Sequence, residues 1–280
     1  MLKEIPLLRI SRIIGDAGFG ASFPIIVLAE DGKEYILKTK EDDMQMNSLS
    51  IFNEVVAYKI IEYLGITISP QEIVYLYIDD SFLEMAKIAF NEKNIKKESL
   101  ENIEASFGVN VGIEYLHNTM EPQGKIENKS FLKDLAHIDN YIMNCDRASN
   151  NINILQDTRK HKVYYAIDFG NALSDGINGE LFPKIINDEI NELILGKASN
   201  CNITLSGAYS LKNDVQSIVK KPQKLKDDYT RIRLILTQII NEFPDEWEVL
   251  KYKDVVIDIL ARRMKSMKIF NLDEKCDCII

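Results

Sequence analysis

Apolar and polar positions alternate along the start of the chain, and the period then changes. Leu7 to Ile14, Phe23 to Ala29 and Glu34 to Thr39 carry the period-two pattern of strands, with Asp31-Gly32 as a two-residue hairpin turn between the last two. Residues 50–64 take up a helical period and stop at Gly65, a residue suited to the position just past a helix end. Glu72 to Ile78 predicts another strand, 81–106 a helical stretch, and Phe107 to Leu116 a last strand before a connector, His117 to Lys129, marked by Pro122 and Gly124. Phe131, Leu135, Ile138 and Ile142 then share one helical face. Ile152 to Leu155 and Val163 to Ile167, split by the polar run Gln156 to Lys162, predict an antiparallel hairpin. Two helical stripes follow: Tyr229, Ile232, Leu236, Ile239 and Phe243, then Val256, Leu260, Met264 and Met267. A sheet-rich first part and a helical second part imply an α+β protein of two lobes, residues 1–117 and 118–280, with a cleft between them.

Composition narrows the class without naming it. A chain of 280 residues, 46% hydrophobic and 28% charged, has the profile of a globular protein with a large core. Its 34 basic and 43 acidic side chains leave a net charge of −9, which disfavours nonspecific binding to nucleic acid or anionic membrane. No apolar run approaches the roughly 20 residues of a membrane span, and Met1 to Pro6 lacks a signal-peptide core. Four cysteines are too few for a disulfide framework, so a cytoplasmic location is expected.

The chemistry concentrates around the predicted hairpin. Asn144-Cys145-Asp146-Arg147-Ala148-Ser149-Asn150-Asn151 precedes it, and Asp168-Phe169-Gly170 follows 17 residues after Asn151. Asn151 is predicted to open the first strand and Asp168 to close the second, which puts both oxygen donors at the open end of the hairpin. Magnesium favours one or two such oxygens together with substrate phosphates. Asp146, in the loop before, is placed to act on an attacking hydroxyl. Arg147 reads either as a structural anchor or as a phosphate contact, the anchor being favoured.

Three upstream features fit the same chemistry. The turn Gly15-Asp16-Ala17-Gly18-Phe19-Gly20-Ala21-Ser22 joins the first two strands, and its glycines let backbone amides approach phosphate oxygens; alone, such a turn is most often only a hairpin. Lys38 lies on the face of its strand opposite Tyr35 and Leu37, which by itself describes a solvent-facing lysine. Glu54 changes that reading. It sits among Ile51, Ala57, Tyr58 and Ile61 on one helix face, where a carboxylate is costly unless paired, and Lys38 is the natural partner; the alternative is a stripe-edge glutamate reaching water. The three histidines lack metal-ligand spacing.

Taken in order, the glycine turn, Lys38, Glu54, Asp146 with Asn151, and Asp168-Phe169-Gly170 resemble the protein-kinase-like superfamily, most closely HipA-like kinase domains. The likeness rests on Gly20 to Pro24, Tyr35 to Lys38, Asn53 to Tyr58, Asn144 to Arg147 with Asn151 to Leu155, and Phe243 to Trp247, and spans about residues 15–263. It departs at Phe169, where such domains commonly carry histidine; Asp-Phe-Gly is also the form of phosphatidylinositol kinases. The resemblance implies a bilobal protein-kinase-like fold and an ATP- and magnesium-dependent kinase acting on a serine or threonine of a protein. It implies that Gly15, Gly18, Gly20, Ala21 and Ser22 cover the ATP phosphates and that Lys38, held by Glu54, contacts the α- and β-phosphates. Asp146 would serve the acceptor hydroxyl, Asn151 and Asp168 the magnesium, and the connector around Glu114 to His117 the adenine. Two alternatives stand beside it: a lipid or small-molecule kinase, and a nucleotide-binding pseudokinase that acts through a partner.

Overall fold

The computed structural model describes residues 2–18, 23–40, 49–123, 126–142, 144, 147, 152–172, 229–247, 250 and 253–265. By its contacts the chain forms two compact units: Met1–Val55, Gln71–His117 and Glu242–Val249 make the first, and Val56–Pro70, Asn118–Asn241 and Leu250–Ile280 the second.

The first unit is built on a closed five-stranded barrel. Strands β1 (Leu7–Asp16), β2 (Ile25–Ala29), β3 (Glu34–Lys38), β4 (Ile73–Ile78) and β5 (Gly108–Glu114) follow one another around it in the order β1-β2-β3-β5-β4. Every neighbouring pair is antiparallel except β1 with β4, which closes the ring in parallel. Alternation drives it: along β3, Tyr35 and Leu37 are buried while Glu34, Ile36 and Lys38 are partly exposed. The inward set, including Val27, Tyr35, Leu37, Val74 and Leu76, forms one core with Phe82, Ala86 and Ala89 of helix α2 (Asp80–Asn91). Each fully buried aliphatic side chain there contributes roughly 1.5–3 kcal/mol.

Helix α1 (Leu49–Leu64) ends where the sequence places its stop. Gly65 adopts φ +63°, and its N–H and that of Ile66 satisfy the carbonyls of Glu62 and Ile61. The stretch 81–106, expected to be helical throughout, is instead two helices, α2 and α3 (Lys97–Ala105). The break runs through Glu92-Lys93-Asn94, with Lys93 at φ +63°, and it turns Ile95 into the barrel core. A long polar interruption with one buried isoleucine is a turn, and helical periodicity alone does not separate it from a continuing helix.

Residues 242–247 return to the first unit although the chain order places them among the late helices. Phe243 packs edge-on to Phe52 and to Trp247, Trp247 packs against Tyr75, and its indole N–H donates to the Val109 carbonyl at 3.0 Å. Glu246 accepts from the Val109 N–H and from Lys40 Nζ.

In the second unit, helix α4 (Lys129–Tyr141) lies in the chain between β6 (Thr119–Met120) and the hairpin of β7 (Ile154–Asp157) and β8 (Tyr164–Ala166), and the three strands form one sheet in the order β6-β7-β8. The β7–β8 hairpin is antiparallel, with Ile154 opposite Ala166, and starts two residues later than the apolar run suggests. β6 lies inside the expected connector; two residues are too few to show a period. Helices α5 (Tyr229–Asn241) and α6 (Lys253–Lys265) pack on each other, and Ile232, Leu236, Val256 and Leu260 on them are buried.

Candidate active site

In the first unit, barrel alternation turns Lys38 away from the core, at the end of β3. The opening turns of α1 present Glu54, which is 0% exposed. The two meet: Lys38 Nζ lies 3.0 Å from Glu54 Oε2, and the lysine side chain is 14% exposed. The ion pair expected from the helix stripe is therefore present. A carboxylate with no access to water must have a compensating charge, so Glu54 fixes where the Lys38 ammonium sits.

The glycine turn is described at both ends. Gly15 (φ +157°) and Gly18 (φ +78°) occupy conformations that side chains rarely adopt, so the departure from β1 depends on glycine there. Ala17 N–H donates to the Pro24 carbonyl at 3.0 Å, closing the base of the hairpin. Phe23 adopts φ +50°, an unusual conformation for an aromatic residue that costs roughly 1 kcal/mol or more. Gly20, Ala21 and Ser22 lie outside the described residues.

The expected adenine edge is the end of β5. The Glu114 carboxylate accepts from the Glu72 N–H at 3.1 Å, and its own N–H is bonded to the Glu72 carbonyl. This leaves Glu114 engaged with the residue just before β4. His117 is 60% exposed, 3.3 Å from Glu34 and edge-on to Tyr115.

In the second unit, Asp146 and Asn151 lie outside the described residues, but their neighbours are well anchored. Asn144, two residues before Asp146, donates from its side chain to Asp139 Oδ1 at 2.9 Å and from its backbone to the Asp139 carbonyl at 2.8 Å. Arg147, one residue after, is fully buried, and its Nε donates to Asp139 Oδ2 at 2.7 Å. Its Nη1 reaches the carbonyls of Ile152, Asn153 and Ile167. One guanidinium thus ties helix α4 to the residues just after Asn151 and just before Asp168. This is the anchor role for Arg147.

Asp168 follows β8 at φ +59°, and Asn153 sits at φ +47°. Both tolerate the left-handed region better than most residues. The carbonyls that Arg147 binds flank this pair of left-handed positions. Phe169 is fully buried, edge-on to Tyr58 at 5.6 Å and beneath Arg147, whose guanidinium carbon is 4.9 Å from the ring centroid. The far turn of the hairpin is held by Asp157, whose carboxylate accepts from the N–H groups of Arg159 and Lys160 and from the Tyr165 hydroxyl. The Arg159 N–H, most of all, holds the Asp157 carboxyl below its ordinary value.

Asp139 is the residue that sequence reasoning missed. It stands four positions after Leu135 and three before Ile142, in the same kind of apolar stripe that singled out Glu54. The argument that a buried carboxylate demands a cation applies equally to it, and Arg147 supplies that cation.

Among the described residues no group of three His, Cys, Asp or Glu side chains could hold a metal ion. An all-protein cage is therefore not present there. The donor set Asn151 and Asp168 still fits magnesium, which takes few protein oxygens and completes its shell with water and phosphates. No helix among the described residues is long and apolar enough to cross a membrane.

Two crystal structures of Golgi casein kinase are similar to this chain. One, with Mn/ADP bound, has 12% sequence identity and a TM-score of 0.47, covering 96% of this chain and 73% of that one. The other has 11% identity and a TM-score of 0.47, covering 96% and 72%. Among curated proteins no match is found. The family model for HipA-like kinases matches residues 10–271, nearly the whole chain, and the protein belongs to that family.

Proposed function

We propose that this chain is an ATP- and magnesium-dependent phosphotransferase with a two-lobed protein-kinase-like fold, residues 1–117 and 118–280, that phosphorylates a serine or threonine of a protein in the cytoplasm. The observation that carries the reading is the Lys38–Glu54 pair: a solvent-free carboxylate holds one ammonium at 3.0 Å on the outer face of the barrel. Membership of the HipA-like kinase family supports the same class of chemistry.

In this reading the backbone from Gly15 to Gly18, with Gly20, Ala21 and Ser22, covers the nucleotide phosphates, and Lys38 binds the α- and β-phosphate oxygens. Glu114 to His117 border the adenine. Asp146 orients the acceptor hydroxyl and takes its proton. Asn151 and Asp168 would hold magnesium, which when bound neutralises phosphate charge. The protein's contribution is positioning and preset electrostatics, with no covalent enzyme intermediate.

The test is transfer of radiolabelled γ-phosphate to the protein itself and to a protein bait. Wild type should label, and Asp146→Ala and Asp168→Ala should not; equal labelling by all three sinks the reading. A second reading follows from Asp168-Phe169-Gly170, the form shared with phosphatidylinositol kinases. A panel of inositol lipids and small alcohols separates the two, because a protein kinase labels none of them.

A further inference from the structure

Helix α3 has no cap of its own. Lys96 occupies its N-cap position and makes no side-chain capping bond. The missing acceptor comes from 80 residues earlier in the chain: Asp16 Oδ1 accepts from the Lys96 N–H at 3.2 Å, and Ser99 Oγ lies 3.3 Å from the same oxygen. The Asp16 backbone N–H donates in turn to the Asn94 carbonyl at 3.1 Å. Asp16 is the last residue of β1 and the second residue of the glycine turn.

The other limb of the turn ends on the same helix. Ser99 Oγ donates to the Phe23 carbonyl at 2.9 Å, and Lys96 Nζ stands 5.5 Å from the centre of the Phe23 ring. Ser99 is 1% exposed, so neither bond has water as a ready substitute. Phe23 is the residue strained at φ +50°, and such conformations persist where surrounding contacts over-determine them. The turn therefore leaves the barrel at Asp16 and rejoins it at Phe23 with both points fastened to the first turn of α3.

We propose that Asp16 and Ser99 are positioning residues for phosphate binding: by fixing Asp16 and Phe23 to helix α3 they set where the backbone from Gly15 to Gly18 stands relative to the nucleotide phosphates. The inference rests on the reading of this chain as an ATP-binding kinase. Neither side chain touches the nucleotide. Their effect passes through the turn, so it falls on the phosphates and spares the base and ribose.

Isothermal titration of the full chain separates these cases, using ATP with magnesium chloride in one arm and adenosine in the other. Ser99→Ala and Asp16→Ala should each weaken ATP binding by roughly tenfold, the scale of one or two lost hydrogen bonds, and leave adenosine binding unchanged. Asp16→Asn keeps an oxygen that accepts from the Lys96 N–H and should bind ATP nearly as wild type does. Adenosine binding within each variant also reports that it is folded. If the alanine variants bind ATP as tightly as wild type, or lose ATP and adenosine equally, the positioning role is overturned. If wild-type protein binds no ATP, the kinase reading fails and the inference fails with it.

Discussion

The guanidinium of Arg147 lies over the ring of Phe169, 4.9 Å from its centroid, and both residues are fully buried. This single contact joins the loop that carries Asp146 to the turn that carries Asp168. Because Arg147 also binds Asp139 and three backbone carbonyls, five attachments converge on one side chain. Residues adjacent in sequence to the candidate Asn151 and Asp168 are therefore held by an arginine that needs no contact with substrate.

Arg147→Ala is expected to destabilise the protein by roughly 3–5 kcal/mol, because it removes the cation from the buried Asp139 carboxylate and one donor from each of three carbonyls. Arg147→Lys should recover little, since an ammonium reproduces neither the planar fork nor the stacking on Phe169. Denaturant unfolding measures both. A lysine variant with wild-type stability would show that the fork geometry is unimportant.

Lys38 and Glu54 invite a double-mutant cycle. Lys38→Met removes the ammonium beside a fully buried carboxylate and should cost stability, whereas adding Glu54→Gln should restore part of it, giving a coupling of roughly 1–3 kcal/mol. Activity should behave differently. Both single variants are expected to lose roughly 100-fold or more in phosphoryl transfer, and the double variant should not recover it, since the charge at the phosphates stays absent. Recovery of activity with stability would reduce the pair to a structural one.

Periodicity and burial cost together made part of this arrangement legible in advance. The barrel strands show their alternation, and Glu54 betrays its need for Lys38 because a carboxylate inside an apolar stripe has few options. Asp139 carried the same signal and points to Arg147 by the same logic. The return of Phe243 and Trp247 to the barrel was not legible: Phe243 completes a helical stripe in the sequence, and no local pattern records that the chain crosses back. Nor does periodicity reveal the division of 81–106, where one buried Ile95 follows a polar run. The tie between Asp16 and Ser99 was equally hidden, because a long-range cap leaves no trace in spacing.

Asp168 tests whether fold and metal binding can be separated at one position. Asparagine tolerates φ +59° about as well as aspartate, so Asp168→Asn should unfold within about 1 kcal/mol of wild type while losing magnesium-dependent transfer. Asp168→Val adds the strain of a β-branched residue in the left-handed region and should be less stable than the asparagine variant by a further ~1–2 kcal/mol. Thermal melts and a magnesium titration of activity check the pair. An asparagine variant that keeps full activity removes the carboxylate from the metal site.

Asp157 gives the protein a predictable acid response. Hydrogen bonds to its ionised carboxylate, first among them the one from the Arg159 N–H, lower its folded-state pKa below the ordinary 3.8. A depressed carboxylate binds fewer protons in the folded than in the unfolded chain. Its stabilisation is therefore complete above the unfolded value and is lost as pH falls through the lowered folded one. The charge of Lys160, 3.8 Å from the carboxylate, acts in the same direction. Asp157→Asn keeps an acceptor for the Arg159 and Lys160 N–H groups but cannot titrate. Between about pH 5 and pH 2 the unfolding free energy of wild type should fall more steeply than that of the variant, by up to one proton's worth of slope. Urea titrations at a series of pH values give both curves, and parallel curves would mean that the turn carboxylate is not held in its ionised form by the fold.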